Sequence, residues 1–135
     1  MARAATRELA FRLIFQADYG QHSNYTYSIE NFARPVDQDF LRELVDNVLS
    51  QRDLLDQVIA KFSRGWSITR MPRVERAILR LAAWELLFSN TPPAVVINEA
   101  VNLAKDYSNA QAASFVNGVL DSIRAQGRDL VPQEE

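Results

Sequence analysis

Two arginines near the start of the chain have a spacing that suits nucleic-acid binding. Arg3 and Arg7 are four residues apart and so lie on one side of a helix, and Phe11 and Phe15 continue that row. Guanidinium groups bind phosphates, and aromatic rings beyond them can stack on bases. The row therefore indicates either an RNA-binding arm or a solvated first turn that leads into the core.

Three further arginines, Arg73, Arg76 and Arg80, cluster on one helical face. At about 100° per residue, that face lies opposite the apolar stripe of the same segment. In a chain with a net charge of −2, an outward group of guanidinium side chains predicts contact with an anion. The alternative is an ordinary solvated face.

Glu85 is the one carboxylate that falls on an apolar stripe, among Val74, Ile78 and Leu81. A buried carboxylate has to be hydrogen-bonded. We expect Glu85 to accept hydrogen bonds from backbone amides at the N-terminus of a neighbouring helix. The alternative is a catalytic acid.

The start of the last predicted helix carries a possible base-binding group at the edge of its apolar stripe. Gln111, Phe115 and Gly118 fall on one flank of that helix. A half-exposed ring beside an amide and a glycine suits a stacked base with close backbone approach. The alternative is an aromatic side chain that seals the edge of the core. Tyr107, just before the helix, could flank the same surface.

Little in the sequence supports catalysis. The one histidine, His22, lies in a polar stretch and is expected on the solvent surface. Metalloprotease, hydrolase and nucleotide-binding motifs are absent, and without cysteine there is neither a disulfide nor a thiolate metal site. No apolar run approaches the roughly 18 residues of a membrane span, and no signal peptide is evident. We therefore expect a cytoplasmic, non-enzymatic protein with no cofactor and no metal.

Helical periodicity dominates the 135 residues, and 4 Gly and 5 Pro leave little room for a strand-and-turn architecture. It predicts an all-α, single compact domain of six to seven helices over 1–135, with an N-terminal half 1–64, a C-terminal half 65–126 and a frayed tail 127–135. The predicted helices are 3–19, a short one at 28–33, 36–49 and 50–62 or a single kinked helix over both, 72–88, one ending near 107, and 110–125. Ser50 with Asp53 resembles a capping box, and Thr91 is the expected N-cap of the sixth helix.

Three blocks carry a resemblance to a known family. They read PRVERAILRLAAWEL at 72–86, VINEAVNLAK at 96–105 and FVNGVLD at 115–121. In this order and spacing they resemble the family of the transcription antitermination factor NusB. The opening residues 5–16 resemble the first helix of that family, and the likeness is weakest over 20–35.

The resemblance implies two three-helix subdomains and binding to boxA, a short single-stranded RNA element of ribosomal RNA transcripts. It also implies a heterodimer with the ribosomal protein NusE, within an antitermination complex on RNA polymerase. The positions it assigns to RNA are Arg3, Arg7, Arg80, Tyr107, Gln111, Ser114 and Phe115. Those it assigns to the partner surface are Glu75 and Arg76.

The chain also departs from the family pattern. Ala4 and Ala5 interrupt the N-terminal basic run, Ser114 stands where a basic residue is usual, and Gln111 replaces a common acid. Fewer cations neutralise fewer phosphates, which lowers the expected RNA affinity. Two alternatives stay open: a protein-interaction module or homodimer without RNA specificity, and an RNA-binding domain related to an rRNA methyltransferase.

Overall fold

A computed structural model describes residues 2–21, 24–64 and 66–131, so the prediction for His22 lies outside the described residues. Within these ranges the chain forms seven α-helices and no strand, which confirms the predicted all-α fold. The helices are α1 Arg3–Ala17, α2 Tyr25–Glu30, α3 Gln38–Ser50, α4 Arg52–Phe62, α5 Arg73–Phe88, α6 Pro93–Tyr107 and α7 Ala110–Gln126. A 3-10 helix, Gly127–Leu130, follows α7 directly.

Helix α5 is the centre of the molecule. It packs against α1, α3 and α4 on one side and against α6 and α7 on the other. Its residues from Ala77 to Leu87 are all buried. An apolar core continues through α5 into both groups of helices, because a helix surrounded by neighbours buries its whole circumference. The division into halves 1–64 and 65–126 stays a prediction.

Several predicted helix ends differ from the structure. Helix α6 begins after the N-cap Pro92 rather than at Thr91, since a proline needs no amide partner at a helix start. The capping box at Ser50 is wrong, because its hydroxyl donates to the Asn47 carbonyl and Gln51 is the N-cap of α4. The tail is not frayed at Gly127, which is buried against Leu87 and Ile123. Residues 132–135 lie outside the described part of the chain.

Candidate nucleic-acid interface

Of the two N-terminal arginines, Arg7 is buried and Arg3 is exposed. Arg7 is 4% exposed and forms a two-pronged pair with Glu85, with its Nε 2.9 Å from Oε2 and its Nη2 2.9 Å from Oε1. The expectation that Arg7 lies on an exposed arm is therefore wrong. The expectation that Glu85 is buried holds, at 1% exposure, but its main donor is the single guanidinium of Arg7 rather than backbone amides. A charge so fully removed from water needs an opposite charge.

Arg3 lies one turn before Arg7 on the same face of α1 and is exposed. Its guanidinium lies 3.8 Å from the centre of the Phe40 ring, in a cation–π contact. It lines a concave surface of about 410 Å³ together with Trp84, Phe88 and the loop that follows α5. Trp84 and Phe88 stack with their ring centres 6.3 Å apart. Among the described residues no ion pair reaches Arg3, and the same concave surface is lined by the Glu43 carboxylate, the buried Trp84 and the partly exposed Phe88.

The predicted outward face of α5 is also wrong. Arg80 is only 6% exposed, and its Nε and Nη2 lie 2.8 and 2.9 Å from the Asp56 carboxylate of α4. Its Nη1 contacts Asp18 at the end of α1, and Arg76 contacts the other oxygen of Asp18. Burial acts to lower the pKa of Arg80, but the bonds and charges of Asp56 and Asp18 raise it overall. Arg76 and Arg80 therefore connect α5 to the end of α1 and to α4, because their carboxylate partners belong to those helices.

Arg73, the third member of the predicted face, behaves differently. Its side chain stays exposed, and its guanidinium lies 4.1 Å from the centre of the exposed Tyr19 ring. The face is thus divided between one surface cation and two internal ones.

Tyr107 sits in a polar cluster between α6 and α1. Its hydroxyl donates to Glu8 at 2.6 Å and accepts from the Nε of Arg12 at 2.8 Å, while its ring meets Phe11 edge-on at 4.7 Å. Arg34 also bonds to Glu8. Partial burial acts to raise the pKa of Glu8, but the bond from Tyr107 and the two arginines outweigh it and lower the pKa. Tyr107 is therefore held in place, with its hydroxyl already engaged.

The first turns of α7 border a second concave surface with aromatic lining. Asn109 caps the helix by accepting from the Ala112 amide at 2.8 Å, and Gln111 and Ser114 are exposed. Phe115 is half-buried, and its ring centre lies 6.0 Å from that of Trp66, which is 49% exposed. Both rings line a cleft of about 320 Å³, here named the aromatic cleft. Its other lining residues are Pro72, Glu75, Asn109, Gln111 and Ala112.

Trp66 is a site residue that the sequence analysis missed. It lies in the connector between α4 and α5, where there is no helical period to place it on a face. Its residue type could have pointed to it, because tryptophan is usually well buried and is enriched at binding sites. Ser114 lies away from Trp66 and lines a shallow groove between α6 and α7, together with Lys105.

The described residues offer little for other chemistry. Across 2–21, 24–64 and 66–131, no cluster of three or more acidic or histidine side chains could hold a metal ion. In the same ranges, none of the helices has the length and apolar character needed to cross a membrane.

Comparisons with known proteins agree with this architecture. The family model described as the NusB family matches residues 4–125. The transcription antitermination protein NusB of Dictyoglomus thermophilum is 44% identical over 122 residues, covering 90% of this chain and 83% of the relative. The chain belongs to the NusB family. The NusB of Macrococcus caseolyticus is 39% identical over 128 residues, with 91% and 96% of the two chains covered.

A solved structure of antitermination factors NusB and NusE in complex with double-stranded RNA is also similar. Its matching chain is 31% identical with a TM-score of 0.80, and the match covers 91% of this chain and 96% of that one. The likeness extends over both groups of helices around α5.

In this NusB-family chain the predicted site residues occupy separate places. Gln111, Phe115 and Glu75 meet in the aromatic cleft at the start of α5, while Arg3 lies beside Phe88 at its end. The 16 residues of α5 span about 24 Å at 1.5 Å each.

Proposed function

We propose that this chain is a transcription antitermination factor that binds boxA-type RNA of ribosomal RNA transcripts together with the ribosomal protein NusE. The observation that carries the proposal is its likeness to the NusB chain of the complex with NusE and RNA, at 31% identity over nearly the whole fold. It acts by binding within an antitermination complex on RNA polymerase, and the proposal assigns it no reaction to catalyse.

The proposed RNA surface runs over the first turns of α7 toward Arg3. Phe115 stacks on a base, while Gln111 and Ser114 offer hydrogen bonds to base edges and the backbone. Tyr107 flanks this surface from α6, and Arg3 binds a phosphate at the far end. Arg7 and Arg80 do not belong to it, because their donors are engaged with buried carboxylates.

The proposed partner surface begins at the first turn of α5. Glu75 opens into the aromatic cleft, and Arg76 is fixed beside it by Asp18 and by the Met71 carbonyl. A net charge of −2 provides no general attraction for RNA. A basic partner would therefore strengthen RNA binding by adding cations, which is the reason to expect a joint RNA site.

Fluorescence anisotropy with labelled RNA tests the proposal. Four samples are needed: boxA RNA with the chain alone, boxA RNA with the chain and NusE, a scrambled strand of equal composition, and a boxA duplex. We expect the chain with NusE to bind boxA at least tenfold more tightly than either the chain alone or the scrambled strand. The duplex sample is included because the similar complex contains double-stranded RNA. Equal affinity for boxA and the scrambled strand would contradict the proposal.

A further inference from the structure

The concave surface that Arg3 lines, here named the Arg3 surface, is separate from the aromatic cleft. It lies at the C-terminal end of α5, whereas the cleft lies at the start of that helix. Its lining consists of Arg3, Phe40, Glu43, Trp84, Phe88 and the loop 89–91. Its volume of about 410 Å³ falls in the size range of small-ligand sites. A molecule bound there would meet a cation, a carboxylate and an aromatic ring.

Phe88 provides the aromatic part of the Arg3 surface. It is the last residue of α5 and is 36% exposed. Trp84, one turn earlier, is buried and stacks against it with 29° between the ring planes. A ring that is packed against a buried neighbour keeps its orientation, so a ligand does not have to order it. Phe88 is therefore a positioned ring with open surface, as base stacking requires.

The loop after α5 is tied to Glu85, the residue that pairs with Arg7. The Ser89 hydroxyl donates to the Glu85 carbonyl at 2.7 Å, and the Thr91 amide donates to the Ser89 hydroxyl at 3.2 Å. The Thr91 hydroxyl lies 3.4 Å from Oε1 of Glu85. Asn90, between these two residues, is exposed, and among the described residues no hydrogen bond reaches its side chain. Its amide is thus a free donor and acceptor on an anchored loop.

The charged groups of the Arg3 surface suit a nucleotide. The guanidinium of Arg3 packs its face on the Phe40 ring, which leaves the N–H donors in its plane available for a phosphate. Glu43 is exposed on α3 and can accept a hydrogen bond from a base amino group, although its charge would repel a phosphate placed beside it. One nucleotide supplies an anion, a flat ring and hydrogen-bond donors at separate positions.

We propose that the Arg3 surface binds one unpaired nucleotide of the RNA, with its base stacked on Phe88 and its phosphate on Arg3. Asn90 and Glu43 border the base and contact its edge. The inference rests on the proposed function and deepens it, because it adds a second stacking site at the other end of α5 from Phe115. Phosphate contacts position an RNA and base contacts specify it, so Phe88 and Asn90 contribute to sequence preference.

Anisotropy titrations of boxA RNA in the presence of NusE test this inference with four forms of the chain. The forms are wild type, Phe88→Ala, Phe88→Tyr and, as a control, Tyr27→Ala, which removes a ring that is 67% exposed on α2. We expect Phe88→Ala to weaken RNA binding about fivefold or more, because the stacking face is lost. Phe88→Tyr keeps the ring and should bind as wild type does, as should the control.

Two further measurements separate base stacking from phosphate binding. Phe88→Ala should keep the wild-type slope of log K against log salt, since it removes no cation. A set of boxA strands, each with one abasic nucleotide, completes a double-mutant cycle with this variant. At one position the loss of the base and the loss of the ring should weaken binding by similar factors. Both changes together should weaken it no more than either change alone.

Each contrary result has a distinct meaning. Unchanged RNA affinity of Phe88→Ala, or losses that multiply at every abasic position, would overturn this inference and leave the proposed function standing. A Phe88→Ala chain that binds RNA normally but NusE weakly would also overturn it, because the surface would then belong to a protein contact. A wild-type chain that does not distinguish boxA from the scrambled strand would overturn the proposed function as well. Circular dichroism of each variant checks that the fold persists.

Discussion

Charged side chains are paired in the interior of this protein, whereas the aromatic cleft contains a carboxylate without a cation among the described residues. Inside, Arg7 meets Glu85, and Arg80 meets Asp56 and Asp18, so each fully buried guanidinium has a carboxylate. At the cleft, Glu75 is nearly as buried but has no cation among the described residues. Internal pairs join α1, α4 and α5, whereas the carboxylate of Glu75 borders an open cleft that water can enter. The two regions should therefore respond differently to the loss of one charge.

The largest expected effect comes from breaking an internal pair. Glu85→Gln leaves the Arg7 guanidinium buried without its counter-charge, and should lower the free energy of unfolding by about 3–5 kcal/mol. Urea denaturation followed by circular dichroism measures this loss. The opposite behaviour is expected of Glu75→Gln, which removes no internal partner.

A double variant controls for this interpretation. Replacing both partners, as Arg7→Met with Glu85→Leu, removes the stranded charge and should recover most of the stability. The contrast between the interior and the cleft would be wrong if Glu85→Gln lowered the free energy of unfolding by less than about 1 kcal/mol, or if the double variant recovered no stability. Either result would show that an unpaired charge is tolerated in the interior.

The next effect concerns RNA rather than stability. Phe115→Ala removes the half-buried ring at the edge of the cleft and should weaken boxA binding about tenfold, since stacking contributes roughly 1–3 kcal/mol per base. Anisotropy titrations measure the affinity, and a wild-type helical spectrum shows that the fold persists. Tyr27→Ala is the control, because Tyr27 is 67% exposed on α2, away from the cleft. An unchanged affinity for Phe115→Ala would remove the ring from the RNA surface.

The helices could be read from the sequence because their apolar residues recur with a helical period. Leu41, Leu44, Val45 and Val48 are all buried along α3, as their spacing predicts. The predicted helix ends were less accurate than the predicted helices, because the cap of a helix depends on a single residue rather than on a repeated pattern. Pro92, rather than Thr91, is the N-cap of α6, and the short helix α2 lies three residues before its predicted position.

The candidate site was only partly accessible from the sequence, for a physical reason. Placing arginines opposite an apolar stripe assumes that the far side of a helix faces water, but α5 is enclosed on all sides from Ala77 to Leu87. The partners of Arg80 are 24 and 62 residues away along the chain, so no local pattern reveals them. Phe115 was correctly placed at the edge of the core, because the last helix has only one buried side.

A smaller effect on RNA affinity is expected from the loss of an exposed arginine, which has no role in the interior. Arg3→Gln removes one exposed guanidinium and should lower RNA affinity a few-fold while leaving the melting temperature within a few degrees of that of wild type. If Arg3 binds one phosphate, the slope of log K against log salt should fall by about 0.7. Titrations at several salt concentrations measure the slope, with the exposed Arg52→Gln on α4 as control. Equal slopes for wild type and Arg3→Gln would place the phosphates elsewhere.

The smallest effect is a pH dependence at the cluster of Glu8, Tyr107 and Arg12. The pKa of Glu8 lies below its ordinary value of 4.5 because the bonds and charges around it outweigh partial burial. A lowered pKa in the folded state means that Glu8 stabilises the fold above pH 4.5 and loses that contribution as the pH falls through the folded value. Glu8→Gln should therefore lower the melting temperature by a few degrees at pH 7, and the difference should shrink as the pH falls below 4.5. Since this cluster is half-exposed, 0.5 M salt should reduce the difference at pH 7, whereas the loss caused by Glu85→Gln should persist. A salt-independent effect of Glu8→Gln would place its carboxylate with the internal pairs rather than with the surface.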